Sequence, residues 1–148
     1  MDQVIIDEIK RIVHPDNVRI DEIMSGHTTF RIGGMADVFV SIINDHELVD
    51  LISFLKNKDI PFFIIGKGSN LLVSDKGYRG VIIEIGSCYS GLHMLGNDIV
   101  AKAGTPMSKL SHFAMEQGYT GLEFASGIPG TVGGGFGGPW LQSAELLG

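Results

Sequence analysis

IPFFIIGKGSNLLVSDKGYRGVII, residues 60–83, decides how the fold is interpreted. IPFFII (60–65) predicts a buried strand because it is continuously apolar, and VIIEI (81–85) predicts another strand. Between them LLV is too short for a helix, and SDKGYRG is typical of turns. The glycine loop GKGSN (66–70) therefore joins a strand to a strand.

The glycine loop fits neither of the two common phosphate cradles. A P-loop reads G-x-x-x-x-G-K-[ST] and a Rossmann fingerprint reads G-x-G-x-x-G, and each opens a helix. Here the lysine follows the first glycine, and Leu71 stands where the third Rossmann glycine would be. Two interpretations remain open: a plain turn, or a turn in which the amides of Gly68, Ser69 and Asn70 converge on an anion.

Upstream of this stretch the sequence predicts a strand, a helix and a strand. ADVFVSI (36–42) has strand character, and Asn44 with Glu47 forms a capping box at the start of NDHELVDLISFLKNKD. Together with IPFFII these elements predict a right-handed βαβ unit. Before them, VRIDEIM (18–24) predicts a short extended lead. The chain begins with a predicted helix, ended by Pro15, whose apolar face is Val4, Ile5, Ile9, Ile12 and Val13.

Downstream, GLHMLGNDIVAKAG predicts two short strands around a turn at 96–98. Thr105 is the expected N-cap of a helix with Pro106 at its first position, and Gly118 is expected to end that helix. After Tyr119 the sequence contains no Lys or Arg, and only Glu123 and Glu145 are charged. This last part is not an ordinary solvated surface.

Two further segments are candidate ligand sites. GLEFASGIPGTVGGG (121–135) exposes many amides and few side chains, as suits a flat or phosphorylated ligand. The alternative is a flexible linker, but Ile128, Pro129 and Val132 favour a structured loop. HTTFRIGG (27–34) offers polar groups from Thr28, Thr29 and Arg31, with a plain loop as the alternative.

Composition excludes several classes of function. A net charge of −6 over 148 residues, with pI near 5.2, argues against a generic nucleic-acid or anionic-membrane surface. Cys88 is the only cysteine, and neither a leader nor an apolar run of bilayer length is present, so we expect a cytoplasmic protein. The five histidines lack metal-ligand spacing, and no Ser-His-Asp pattern is evident.

Taken in order, TTFRIGG, GKGSNLLVSDKGYRGVII, AKAG and GLEFASGIPGTVGG resemble the UDP-N-acetylenolpyruvoylglucosamine reductases, also called UDP-N-acetylmuramate dehydrogenases, from about Gly26 to Gly134. This resemblance implies an α+β fold: the two-subdomain FAD-binding fold of the vanillyl-alcohol-oxidase (PCMH) type, incomplete at the C-terminus. Residues 1–26 would be a lead-in and 27–134 the FAD-binding domain, with subdomains of about 27–80 and 81–134.

The resemblance also implies a non-covalently bound FAD between the two subdomains, with NADPH as reductant and a UDP-sugar as substrate in peptidoglycan synthesis. It implies no metal, no nucleic-acid partner and no membrane insertion. The implied cofactor-binding residues are Thr29, Arg31, Ile32, Gly33, Gly66, Lys67, Gly68, Ser69, Asn70, Leu71, Gly127, Ile128, Pro129, Gly130, Thr131, Val132, Gly133 and Gly134.

The sequence departs from the family's pattern at His27, where Asn is usual, at Met35, where Pro is usual, and throughout the tail, residues 135–148. By the resemblance, the family's catalytic groups lie beyond this point, so no catalytic residue is assigned and we expect the substrate-binding domain to be absent. We therefore expect a truncated copy whose residues 135–148 are not native to the fold, with exposed sheet edges, weak FAD binding and no reductase activity. The alternatives are a non-catalytic flavin- or nucleotide-binding module, or another oxidoreductase of the same flavoprotein superfamily.

Overall fold

The computed structural model describes residues 1–69 and 71–137. Its contacts divide the chain into two compact units, Met1–Ile85 and Gly86–Gly148. The first unit extends to Ile85, beyond the subdomain boundary expected near residue 80, because the strand Tyr78–Glu84 belongs to its sheet. Asn70 and most of the divergent tail, residues 138–148, lie outside the described residues.

The first unit is built on a mixed four-stranded sheet in the order β1-β2-β4-β3. β1 runs antiparallel to β2, whereas β4 lies between β2 and β3 and is parallel to both. The predicted strand-helix-strand connection therefore joins two strands that are not neighbours. The strands are β1 (Val18–Ile23), β2 (Met35–Ser41), β3 (Phe62–Ile65) and β4 (Tyr78–Glu84).

Two helices, α1 (Gln3–Ile12) and α2 (Asp45–Asn57), complete this unit and contact each other. The predicted cap of α2 is confirmed, because Asn44 Oδ1 accepts a hydrogen bond of 2.9 Å from the amide of Glu47. In α1, Ile6, Ile9 and Val13 are buried, and the prediction of Val4 on the apolar face is wrong. Val4 lies nine residues from Val13, and a rotation of about 100° per residue puts it on the opposite side.

The prediction of a buried strand at IPFFII is also wrong. β3 lies at the edge of the sheet, and Phe63 and Ile64 are 49% and 43% exposed. An edge strand has a partner on one side only, so its side chains are covered less completely than those of β4. Val81 and Ile83 of β4, which has strands on both sides, are fully buried.

The connection from β3 to β4, residues 66–77, is the segment that contains the glycine loop. Because adjacent parallel strands run in the same direction, the chain must return along the whole length of the sheet. It does so without a helix, and Val73 with the partly buried Leu71 packs on the sheet. The buried residues of this cluster are Met24, Ala36, Phe39, Ile65, Val73 and Ile82.

The second unit begins with a hairpin, β5 (Leu92–Leu95) and β6 (Asp98–Ala101), as predicted. It continues with helix α3 (Met107–Glu116) and the short helix α4 (Val132–Gly137). None of the helices in residues 1–69 and 71–137 has the length and apolar character needed to cross a bilayer.

The two predicted ends of α3 have different outcomes. At the C-terminus Gly118 has φ of +81°, and the amides of Gly118 and Tyr119 donate to the carbonyls of Met115 and Ala114, so the glycine end is confirmed. At the N-terminus the cap is Pro106, and the expected Thr105 cap is wrong. The buried hydroxyl of Thr105 instead bonds to Gly91, accepting from its amide at 3.0 Å and donating to its carbonyl at 3.1 Å.

Candidate functional site

The first unit brings together two candidate segments that are far apart in sequence, HTTFRIGG (27–34) and residues 66–77. The amide of Thr29 donates to the Gly68 carbonyl at 3.2 Å. The amide of Gly34 donates to the Ser74 carbonyl at 2.9 Å. These two hydrogen bonds connect the two ends of residues 29–34 to residues 66–77. The polar groups of both segments therefore lie in one region of the surface.

Gly68 adopts a left-handed backbone conformation, with φ of +66°. A Cβ added at this position would overlap the carbonyl oxygen of His27. Glycine is therefore required at position 68 by the chain itself, because the carbonyl of His27 occupies the space that a side chain would need.

The loop has amides available for an anion. Within residues 1–69 and 71–137, no acceptor takes the amide hydrogen of Gly68 or Ser69, although Gly68 is buried. A buried backbone N–H without a partner is costly, and successive amides around a left-handed residue form anion-binding concavities. The geometry therefore fits a phosphate group, with the contribution of Asn70 lying outside the described residues.

The side chains of this region have separate roles. Thr28 is buried and donates its hydroxyl to the Ile32 carbonyl at 3.1 Å, so it holds the segment's own turn. Arg31 and Lys67 are exposed, and in the described part of the chain neither makes a salt bridge. The two segments thus contain two exposed cations and a loop with unpaired amides. Thr29 and Ile32 are also exposed, whereas Leu71 packs on the core.

His27, the first residue of the segment 27–34, forms a pair with the carboxylate of Glu22, and the sequence analysis did not predict this pair. The Nε2 atom of His27 lies 2.7 Å from Oε1 of Glu22, and its ring stacks on Phe39 with centroids 4.2 Å apart. The hydrogen bond from His27 holds the pKa of the Glu22 carboxyl below its ordinary value of 4.5, although burial opposes this shift. Glu22 lies near the end of β1, and His27 follows five residues later. This short separation is the one sequence signal from which the pair could have been predicted.

The second glycine segment, residues 121–135, is a structured part of the second unit. Val132 and Gly133 donate their amides to the carbonyls of Thr105 and Ala103, both at 2.8 Å. The hydroxyl oxygen of the buried Thr131 accepts from the Gly134 amide at 3.3 Å. The interpretation as a flexible linker is therefore wrong.

Several of the amides that were expected to meet a cofactor thus serve the fold of this unit. Ile128 also donates to a carbonyl of its own segment, that of Ala125, at 3.2 Å. Gly127 and Pro129 are exposed, and Gly130 is half-buried. These three residues leave the outer part of the segment accessible to a ligand.

No group of three or more His, Cys, Asp or Glu side chains in the described ranges is arranged to hold a metal ion. Cys88, the one cysteine, is exposed.

Comparison with known proteins links both units to flavoenzymes. The profile of a family described as "FAD binding domain" matches residues 36–138. The UDP-N-acetylenolpyruvoylglucosamine reductase of Caldanaerobacter subterraneus subsp. tengcongensis is 43% identical over 134 residues, which are 90% of this chain and 44% of that protein. The enzyme of the same name from Alkaliphilus oremlandii is 44% identical over 126 residues, 85% of this chain and 41% of the relative.

Solved structures give the same result at the level of the fold. UDP-N-acetylenolpyruvylglucosamine reductase from Thermus caldophilus superposes with a TM-score of 0.59 at 30% identity, covering 79% of this chain and 41% of that one. p-Cresol methylhydroxylase superposes with a TM-score of 0.56 at 12% identity, covering 78% and 24%. These likenesses confirm the predicted fold class. The chain spans less than half the length of the curated relatives it matches.

Proposed function

Because the chain belongs to the FAD binding domain family, we propose that it is the cofactor-binding part of a UDP-N-acetylenolpyruvoylglucosamine reductase. The resemblance predicted from four short motifs is confirmed by relatives that are 43% and 44% identical over most of this chain. Those relatives are more than twice as long, so the reaction of the whole enzyme is part of the proposal.

The observation that carries the proposal is the pair of amides at Gly68 and Ser69, which have no acceptor in the described residues. A phosphate oxygen accepts such amides, and hydrogen bonds to an anion are stronger than those between neutral groups. Arg31 and Lys67, both exposed, would add positive charge around the same anion. In an acidic chain this is how a local site for a pyrophosphate is built.

We propose that this chain holds FAD non-covalently, with Thr29 to Gly33, Gly66 to Leu71 and Gly127 to Gly134 as its cofactor-binding residues. The left-handed Gly68 fixes the direction of the loop amides, and the apolar residues Ile32 and Leu71 would exclude water.

The chemistry that FAD supplies when bound is hydride transfer, here from NADPH to the enolpyruvyl double bond of a UDP-sugar. The residues of this chain contribute binding and orientation of that cofactor, and the catalytic groups are proposed to belong to the remaining part of the longer enzyme. We propose peptidoglycan synthesis as the pathway. A single cysteine suits a reducing compartment, which supports the cytoplasm as the location.

The first prediction concerns FAD binding and the loop. Titration followed by flavin fluorescence should detect binding to this chain. Gly68→Ala should weaken it by about tenfold, because a Cβ at φ of +66° strains the backbone and displaces the loop from His27. Gly26→Ala is the matched control: a Cβ there meets nothing within 4 Å, so affinity should stay unchanged.

Competition identifies which part of FAD the chain recognises. ADP carries the pyrophosphate and should displace FAD, whereas riboflavin, which has no phosphate, should displace it poorly. Absence of any FAD binding would contradict the proposal. Binding of ADP without binding of FAD would favour the nucleotide-binding module, and equal affinities of Gly68→Ala and the unchanged chain would rule out the loop's role.

A further inference from the structure

We propose that His27 is a positioning residue of the cofactor loop, and that the contact of its imidazole with Glu22 maintains the loop conformation and hence FAD affinity. This inference rests on the proposed function only for its second half. The conformation of the loop can be measured without any cofactor.

The side chain of His27 is fixed on two sides. Its Nε2 atom is 2.7 Å from a carboxylate oxygen of Glu22 on β1, and its ring lies 4.2 Å from the ring of the fully buried Phe39 on β2. Only 16% of the imidazole is exposed. A side chain held by two strands of the sheet leaves its own backbone little freedom to move.

The backbone of His27 in turn supports the loop. Its carbonyl oxygen lies in the space that a Cβ on Gly68 would fill, and two residues later the amide of Thr29 donates to the Gly68 carbonyl. The peptide that presents the unpaired amides of Gly68 and Ser69 is thus packed directly on residues 27–29. If the imidazole lost its contacts with Glu22 and Phe39, residues 27–29 would no longer hold the backbone of Gly68 in place.

Charged groups lie around this contact. Glu22 and Arg19 lie on β1, with Arg19 3.3 Å from the Glu22 carboxylate, and β2 contributes the neutral ring of Phe39. The hydrogen bond from His27 lowers the pKa of the Glu22 carboxyl, so the ionised carboxylate is the partner that holds the imidazole.

The first experiment measures the loop itself by hydrogen exchange of the Thr29 amide, without FAD and expressed as a protection factor. His27→Ala should lower the protection two- to fivefold, the effect of losing a partly exposed pair. His27→Gln keeps an N–H donor for Glu22 and should restore most of the protection.

His14→Gln is the matched control, because His14 also faces a carboxylate, that of Asp16 at 3.7 Å, but its side chain is 62% exposed and belongs to another segment. It should leave the Thr29 protection unchanged. Thermal unfolding of each variant separates loss of the loop's support from loss of the fold. Unchanged Thr29 protection in a folded His27→Ala, or protection in His27→Gln as low as in His27→Ala, would overturn the proposal.

The second experiment repeats the FAD titration with the same variants. Affinity should follow the protection of Thr29, falling two- to fivefold in His27→Ala and recovering in His27→Gln. If the chain binds no FAD while the Thr29 protection changes as expected, the proposed function fails and the positioning role stands. If FAD binds but the Thr29 protection does not change, the positioning role fails and the proposed function stands.

Discussion

At the scale of single residues, glycines in the candidate segments serve contacts within the chain. Gly68 makes room for the carbonyl of His27, and Gly33 lies where a Cβ would come within 2.9 Å of the Cβ of Val73. Gly133 meets Ala103 in the same way. A glycine in the sequence does not indicate whether the group that approaches it is a ligand or another part of the chain.

A prediction at this scale concerns Gly133→Ala in α4. The new Cβ would lie 2.8 Å from the Cβ of Ala103, so α4 must shift and lose part of its packing. We expect the free energy of unfolding of the second unit to fall by about 1 kcal/mol, the cost of overpacking less the gain in helix propensity. Urea unfolding measures this change. Gly127→Ala, with nothing within 4 Å, should not lower stability, and equal losses in both variants would refute the packing argument.

At the scale of elements, the sequence predicts best where local chemistry is sufficient. The N-cap of α2 and the glycine end of α3 depend on residues three to five positions apart, and both are confirmed. Thr105 fails as a cap because its hydroxyl bonds to Gly91, fourteen positions away. A contact across the fold thus outweighs a local preference.

A prediction for α2 follows from its cap. Asn44→Ala removes the acceptor of the Glu47 amide and should lower the free energy of unfolding by about 1 kcal/mol. Urea unfolding of the first unit provides the measurement. Ser53→Ala is the control, because Ser53 is exposed within the same helix and alanine is the better helix former there. Stability as high in Asn44→Ala as in the control would show that the cap contributes nothing.

At the scale of the whole molecule, the edge of the four-stranded sheet is the exposed feature. Among the residues that the structure describes, β3 pairs only with β4, and its Phe63 and Ile64 are about half exposed. An edge strand with unpaired backbone groups and apolar side chains is a template for association with another strand. The expected exposed sheet edge is therefore present in the first unit.

The prediction for this edge is that the chain self-associates as its concentration rises and that Ile64→Lys reduces this association, because a charged edge strand resists pairing. Light scattering coupled to size-exclusion chromatography would report the mass. Val49→Lys changes the net charge equally at a 62% exposed position on α2 and should leave association unchanged. If Ile64→Lys associates as the unchanged chain does, the interface lies elsewhere.

The sequence by itself determined the family, the fold class, the N-cap of α2 and the glycine end of α3. These features are encoded locally, in short motifs whose order along the chain is readable without coordinates. The burial of IPFFII was not readable in this way, because continuous apolar character does not distinguish a central strand from an edge strand.

Only the tertiary structure decided which segments meet. It placed residues 27–34 against residues 66–77, so that Gly68 rests on His27, and it bound His27 to Glu22 and Phe39. These contacts depend on the order of strands in the sheet, which puts β4 between β2 and β3 and sends the connecting loop back along the sheet. Such long-range contacts are set by the packing of the whole core, which no local pattern contains.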